Sequence, residues 1–239
     1  MQPPSPTRYA WLVVALLWPV ALLNYLDRQM LAAMKSSVMT DIPSIGSEAN
    51  WGFMLGQFKW VYALLSPIGG YVADRFSRRL TICGSLFVWS AITWWTGHVA
   101  GYRELLAARS LMGISEAFYI PAALALIAEY HRGATRSRAV GLHQMAIYAG
   151  VIAGGFGGFV ADAPGLGWRL AFDACGIFGM LYAFPLALLM VEGGTGAHDL
   201  DPDRGQRQHR QAGDSQHRCR RHLDRAFEPA VEGDQQVLA

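Results

Sequence analysis

The sequence predicts an all-α membrane protein with six transmembrane helices. Three observations carry that prediction. The 239 residues are 52% hydrophobic and only 16% charged, too apolar and too poor in charge for an ordinary soluble domain. Six successive runs are long enough to cross a bilayer core of about 30 Å, which takes about 20 mostly apolar helical residues. Arginine and lysine gather at alternate joints between the runs, as the positive-inside rule requires.

The first run, Tyr9–Met34, follows Arg8 and contains Asn24, Asp27 and Arg28. It lacks a small-x-small cleavage site, so it reads as a retained span rather than a signal peptide. The others are Trp51–Ala73, Leu80–Val99, Glu104–Tyr130, Ala139–Ala161 and Leu170–Val191. Trp11, Trp51 and Trp168 stand at span ends, where interfacial anchors are expected. Gly150, Gly154, Gly155, Gly157 and Gly158 crowd the fifth span, which suits either close helix contact or a helix that bends.

Arg8, Arg75, Arg78, Arg79, Arg132, Arg136 and Arg138 lie on one side, against Lys35, Arg103 and Arg169 on the other. That places both termini in the cytoplasm. The composition suits a bacterial inner membrane.

The net charge of +2 is no nucleic-acid signature. Cys83, Cys175 and Cys219 form no zinc pattern and no disulfide framework, and no cofactor motif is present. Gly113-Ile-Ser115 invites a serine-protease reading, but the next residue is Glu116 and the sixth span has no His to serve as base. The chain is not expected to be an enzyme.

An ionisable group at mid-membrane costs at least about 2.5–3.5 kcal/mol, so it pairs, faces water or marks a pathway. Asp27, Arg28, Lys59, Arg109, Glu116 and Asp173 all lie within spans. Arg109 and Glu116 are seven residues apart and share a helix face with Gly113 between them. Glu116 sits near mid-span and is the leading candidate for a protonatable group. Asp27 and Arg28 project about 100° apart and need different partners. Lys59 is placed to snorkel. Asp173, His98 and His143 fall near span ends.

Gly70-Tyr-Val-Ala-Asp74-Arg75-Phe-Ser77-Arg78-Arg79 resembles the G-x-x-x-D-R-x-G-R-R loop between helices two and three of the major facilitator superfamily, with Ser77 in place of Gly. Asn24-Tyr-Leu-Asp27-Arg28 is similar to the N-Y-x-D-R of its anion:cation symporter and Spinster-like branches. Arg109-x-x-x-Gly113-x-x-Glu116-Ala117 with Pro121, Arg136-x-Arg138-Ala139, Gly167-Trp168-Arg169 with Phe172 and Gly176, and Phe58-Lys-Trp-Val-Tyr62 resemble further stretches of those branches. The resemblance covers residues 9–192. It implies the N-terminal bundle of a major facilitator fold, two inverted three-helix repeats in which span one corresponds to span four.

It further implies that Asp27 and Glu116 are proton-linked. Arg109 would be coupled to the Glu and to an anionic substrate, with Arg28 and Tyr62 also at the substrate. Gly70, Asp74, Arg75, Arg78 and Arg79 would form a cytoplasmic gating motif, in which Asp74 caps a turn and the arginines bond helix C-terminal carbonyls. The fifth span lacks the antiporter Pro, since Phe156 follows Gly155. The implied function is proton-coupled transport of a small organic anion, a sugar acid or carboxylate. The alternatives are a Spinster-like lipid or lysolipid transporter and a non-transporting membrane subunit.

Composition changes near residue 192. Residues 193–239 hold 7 Arg, no Lys and 8 Asp/Glu, without an apolar run. This tail is expected to be disordered, and a frameshift or truncation would account for it. Six helices make half a cavity, so a second six-helix half or a homodimer is expected to complete it.

Overall fold

The computed structural model describes residues 6–131 and 133–190. Cys219, Arg132 and the tail expected to be disordered lie outside the described residues. All elements among the described residues are helical. They are α1 (Pro6–Ala33), α2 (Lys35–Asp41), α3 (Glu48–Arg75), α4 (Arg78–Thr96), α5 (Tyr102–Glu116), α6 (Tyr119–Tyr130), α7 (Ala134–Gly155), α8 (Gly157–Asp162) and α9 (Gly167–Leu189), with a single 3₁₀ turn at Pro43–Ile45.

Local chemistry sets the boundaries. The Ser47 hydroxyl caps α3 by accepting from the Asn50 amide at 3.2 Å, and Ser77 caps α4 through the Leu80 amide at 3.1 Å. Ser77 therefore has its own use where the family loop carries Gly. The cap expected from Asp74 is not made: Asp74 lies inside α3 and is exposed.

The fourth apolar run is not one continuous helix. It divides into α5 and α6 at Ala117–Phe118. Pro121 has no N–H to donate to the carbonyl four residues back, that of Ala117. Gly69 of α3 fills the gap: a Cβ there would overlap the Ala117 carbonyl and lie 3.1 Å from Phe118 Cα. The fifth run divides likewise at Phe156, whose amide bonds Ala153 O at 3.2 Å, between two glycine pairs. Helix α2 occupies what reads as a polar joint. It buries Val38 and leads to Ile42 and Ile45, which are also buried.

Four stretches are long and apolar enough to cross a membrane: Arg8–Ala33, Tyr102–Tyr130, Thr135–Asp162 and Gly167–Leu189. Helices α3 and α4 are not among them. Charged and weakly polar residues dilute them: Lys59, Asp74 and Arg75 in α3, and two arginines, three serines or glycines and three threonines in α4.

Helix α1 packs along α7, α3 along α5 and α6, and α4 along α9. Exchanging the first three long helices for the last three leaves this pairing unchanged. Two apolar cores result. One gathers Leu17, Leu86, Trp89, Tyr119, Ile127 and Leu186, the other Leu31, Met54, Leu105, Trp168 and Phe172. Between their levels on α1, α4 and α5 stand Asp27, Thr93, Thr96, Arg109 and Glu116, all buried.

Outward-facing apolar residues form stripes at helical spacing. Phe53, Trp60, Leu64 and Ile68 run along α3, and Ile177, Leu181, Phe184 and Leu188 along α9. Unbroken faces of this kind suit hydrocarbon rather than water. Two of the expected anchors are in the core instead: Trp51 and Trp168 are each 4% exposed. Trp168 turns inward because its ring packs edge-on to Phe172 and its Nε1 donates to Asp41.

Candidate functional site

The buried charges pair across helices, not along them. Arg28 on α1 donates through Nε to Glu116 Oε2 on α5, and its Nη2 lies in salt-bridge contact with the same oxygen. Asp27, the adjacent residue, meets Arg109 of α5 at 3.6 Å. Two neighbours on α1 thus engage two residues of α5 that lie two turns apart. The separation along α5 is about 10.5 Å at 1.5 Å per residue, too far for Arg109 and Glu116 to pair with one another. The coupling of Arg109 to Glu116 that the resemblance implies is not a direct contact here; Arg28 holds that place.

Each pair has its own surroundings. Asp27 is buried, and its Oδ2 accepts from Thr93 Oγ1 of α4 at 2.7 Å. Arg109 donates to Thr96 Oγ1 at 3.4 Å and lies over the Phe172 ring at 5.7 Å. The Arg28 guanidinium carbon is 4.8 Å from the Tyr25 ring centre, 4.9 Å from that of Phe58 and 4.7 Å from that of Tyr62. These distances fit cation–π contact. The Arg28 side chain keeps 19% exposure whereas Glu116 has none, so Arg28 is the accessible member of its pair.

The site retains unused hydrogen-bonding capacity. Glu116 Oε1, Asp27 Oδ1, Arg109 Nε and both amide atoms of Asn24 are buried without a hydrogen-bond partner. Asn24 is one turn from Asp27 and Arg28 on α1, on the same face. Burying such groups unsatisfied is costly, and a site that exchanges partners during a cycle is one setting in which that cost is tolerated.

Other candidate residues lie elsewhere. Lys59 is exposed. Asp173 pairs with His98 at 3.3 Å, away from the central charges. His143 is fully buried, and its Nε2 is 3.0 Å from the Tyr119 hydroxyl. No group of three or more His, Cys, Asp or Glu residues among those described is placed to hold a metal ion.

The 70–79 motif makes a separate cluster. Arg78 Nη1 is 2.6 Å from Glu129 Oε2 on α6 and Arg78 Nη2 is 3.6 Å from Asp74. Arg79 donates to the Ala187 carbonyl in the last turn of α9. Gly70 lies against Pro121, and Arg75 is exposed.

Sequence reasoning missed Glu129, Thr93 and Thr96, and left Phe172 without a role although it stands in the stretch that begins Gly167-Trp168-Arg169. Tyr25 and Phe58 stood in quoted motifs without an assigned role; each is one turn from a candidate residue, which is the signal that could have found them. The threonines carried no signal beyond polarity within an apolar run.

A helical membrane bundle with paired charges buried at its centre is the architecture of a solute carrier, not of a soluble enzyme. The profile of the Major Facilitator Superfamily matches residues 17–227. The chain belongs to that family of membrane transporters, which is not an enzyme family. It is 33% identical to human Protein spinster homolog 1 over 205 residues, covering 83% of this chain and 38% of that protein. A "probable galactarate/D-glucarate transporter" of Pseudomonas putida is 29% identical over 62% of this chain and 33% of its own length. The crystal structure of a bacterial homolog of the human lysosomal transporter Spinster, inward-facing and occupied, superposes with a TM-score of 0.72 at 27% identity. It covers 85% of this chain and 48% of that one. The chain thus spans less than half the length of these relatives.

Proposed function

We propose that the chain is the six-helix N-terminal half of a proton-coupled secondary transporter for a small organic anion. The carrying observation is the crossed pair of buried ion pairs, Arg28–Glu116 and Asp27–Arg109. Each acid holds one arginine. An anion that takes Arg28 leaves Glu116 without its counter-charge, and a proton neutralises it. Loading substrate and loading a proton are then linked, since each relieves the cost of the other. Tyr25, Phe58 and Tyr62 would wall the anion. Arg78 and Arg79 would close the cytoplasmic side.

In this reading α3 and α4 also span the bilayer, giving six spans as two inverted three-helix repeats. Both termini lie in the cytoplasm, and a second six-helix half or a second copy covers the polar centre. A sugar acid is favoured as substrate by the likeness to the galactarate/D-glucarate carriers. A lysolipid is the second reading, favoured by the three aromatic rings that offer an apolar body a place beside Arg28.

The test is uptake of radiolabelled D-glucarate by proteoliposomes with and without an inward proton gradient. Uptake should rise with the gradient, and Glu116→Gln should abolish that rise while retaining exchange down a substrate gradient. Uptake indifferent to the gradient removes proton coupling. Uptake of radiolabelled lysophospholipid with no uptake of glucarate selects the second reading.

A further inference from the structure

We propose that Arg169 and Asp41 form a second latch, the counterpart of the Arg78/Arg79 cluster at the opposite end of the bundle, which pins the start of α9 to the end of α4 and to α2. Helices α4 and α9 run antiparallel, so the start of each meets the end of the other. At one end Arg79, in the first turn of α4, donates to the Ala187 carbonyl in the last turn of α9. At the other, Arg169 in the first turn of α9 reaches the carbonyls that follow α4. Its Nη1 donates to Gly97 O at 2.9 Å and to Val99 O at 2.9 Å. Each end also has a carboxylate. Arg78 takes Glu129, at the end of α6. Arg169 Nε takes Asp41 Oδ2 at 2.9 Å, at the end of α2, which follows α1. Exchanging the two three-helix sets maps one cluster onto the other.

The Arg169 end is a built contact. Trp168 Nε1 donates to the same Asp41 oxygen at 3.1 Å, and the Arg169 guanidinium lies 4.5 Å from the Trp168 ring centre. Carbonyls at a helix C-terminus carry partial negative charge, and the guanidinium fork reaches two of them and a carboxylate at once. Gly97 makes the approach possible: a Cβ there would sit 2.7 Å from Asp173 Oδ1 and 3.0 Å from Arg169 O. Between the two ends, Gly176 and Gly179 of α9 press on Ser90 and Trp94 of α4. The α4–α9 pair is therefore fixed at both ends and along its middle. Gly167-Trp168-Arg169 has no sequence likeness to the 70–79 motif, so only the three-dimensional pairing discloses the equivalence.

Amide hydrogen exchange, read by mass spectrometry on the full chain in lipid nanodiscs, tests this without reference to transport. Arg169→Lys retains the charge and the stem but loses the fork. It should speed exchange about tenfold over residues 96–101 and 167–172 and leave 78–83 and 184–190 unchanged. Asp41→Asn should give a weaker version of the same pattern. Gly97→Ala, which leaves every charge in place, should reproduce it by pushing the two helices apart. Arg79→Lys should give the reverse pattern. Unchanged exchange at 96–101 in both Arg169→Lys and Gly97→Ala overturns the latch, as does equal acceleration at both ends of the bundle.

Discussion

Glu116 has no solvent exposure, and Arg28 is its sole hydrogen-bonding partner among the described residues. Removing one member of a buried pair leaves the other charged and unsolvated, at a cost of about 3–5 kcal/mol. Arg28→Ala should therefore destabilise the protein by that order, whereas Arg28→Ala combined with Glu116→Gln should recover much of the loss. Unfolding curves of the two single variants and the double variant measure the coupling, and strict additivity would show that the pair contributes no net interaction. Asp27 behaves differently. Asp27→Asn keeps an oxygen for the Thr93 hydroxyl while losing the charge opposite Arg109. It should cost less stability than Arg28→Ala and still lower gradient-driven uptake, a split that uptake and unfolding measurements on the same preparation resolve. The charged members of the site were legible in the sequence because ionisable residues inside apolar runs are rare. Their partners were not. Which acid meets which arginine depends on how α1 and α5 are rotated against each other, and the nearest charge on the same face of α5 is two turns too far away.

Glycines on one helix divide sharply by what they touch. A Cβ at Gly150 would overlap the Leu22 carbonyl of α1, and one at Gly154 would lie 2.8 Å from Gln29 Cβ, whereas one at Gly155 meets nothing within 4 Å. Small residues here let α1 and α7 approach backbone to backbone, the means by which helices associate in lipid. Gly150→Leu should separate the helices and lower the yield of monodisperse protein. Gly155→Ala should be neutral or stabilising by up to about 1 kcal/mol through lost backbone entropy. Thermostability by size-exclusion chromatography tells them apart, and equal losses would remove the assignment of Gly150 to the interface. The apolar runs made the long helices legible, since hydropathy over about 20 residues is a strong signal. The break at Ala117–Phe118 was not, although Pro121 stood in the sequence, and the break at Phe156 falls among glycines for which a bend was only one of two readings. A proline within an apolar run bends, ends or merely decorates a helix according to its neighbour, and here the neighbour is Gly69 on α3. Helix α2 escaped notice because seven residues with one buried side chain leave almost no periodic trace.

The outer surface and the central charges make opposite demands on their surroundings. Ile152 is 65% exposed, Leu181 63% and Phe184 63%, and all three lie on faces fit for lipid. Tyr62, only partly buried, borders the one guanidinium of the charged centre that retains exposure. A bilayer tolerates polar groups at depth only where protein or a water-filled cavity covers them. If a second six-helix half or a second copy provides that cover, a nitroxide attached at Tyr62→Cys should collide with a water-soluble relaxant. Labels at Ile152→Cys, Leu181→Cys and Phe184→Cys should collide with oxygen, which concentrates in hydrocarbon. Measured on the chain reconstituted in bilayers, an oxygen-dominated signal at all four positions would mean that the charged centre faces lipid and that no partner covers it. A water-dominated signal at Tyr62 alone would place the cavity on the α1–α3 side of Arg28. Cross-links through the same cysteine would then show whether the cover is another copy of this chain.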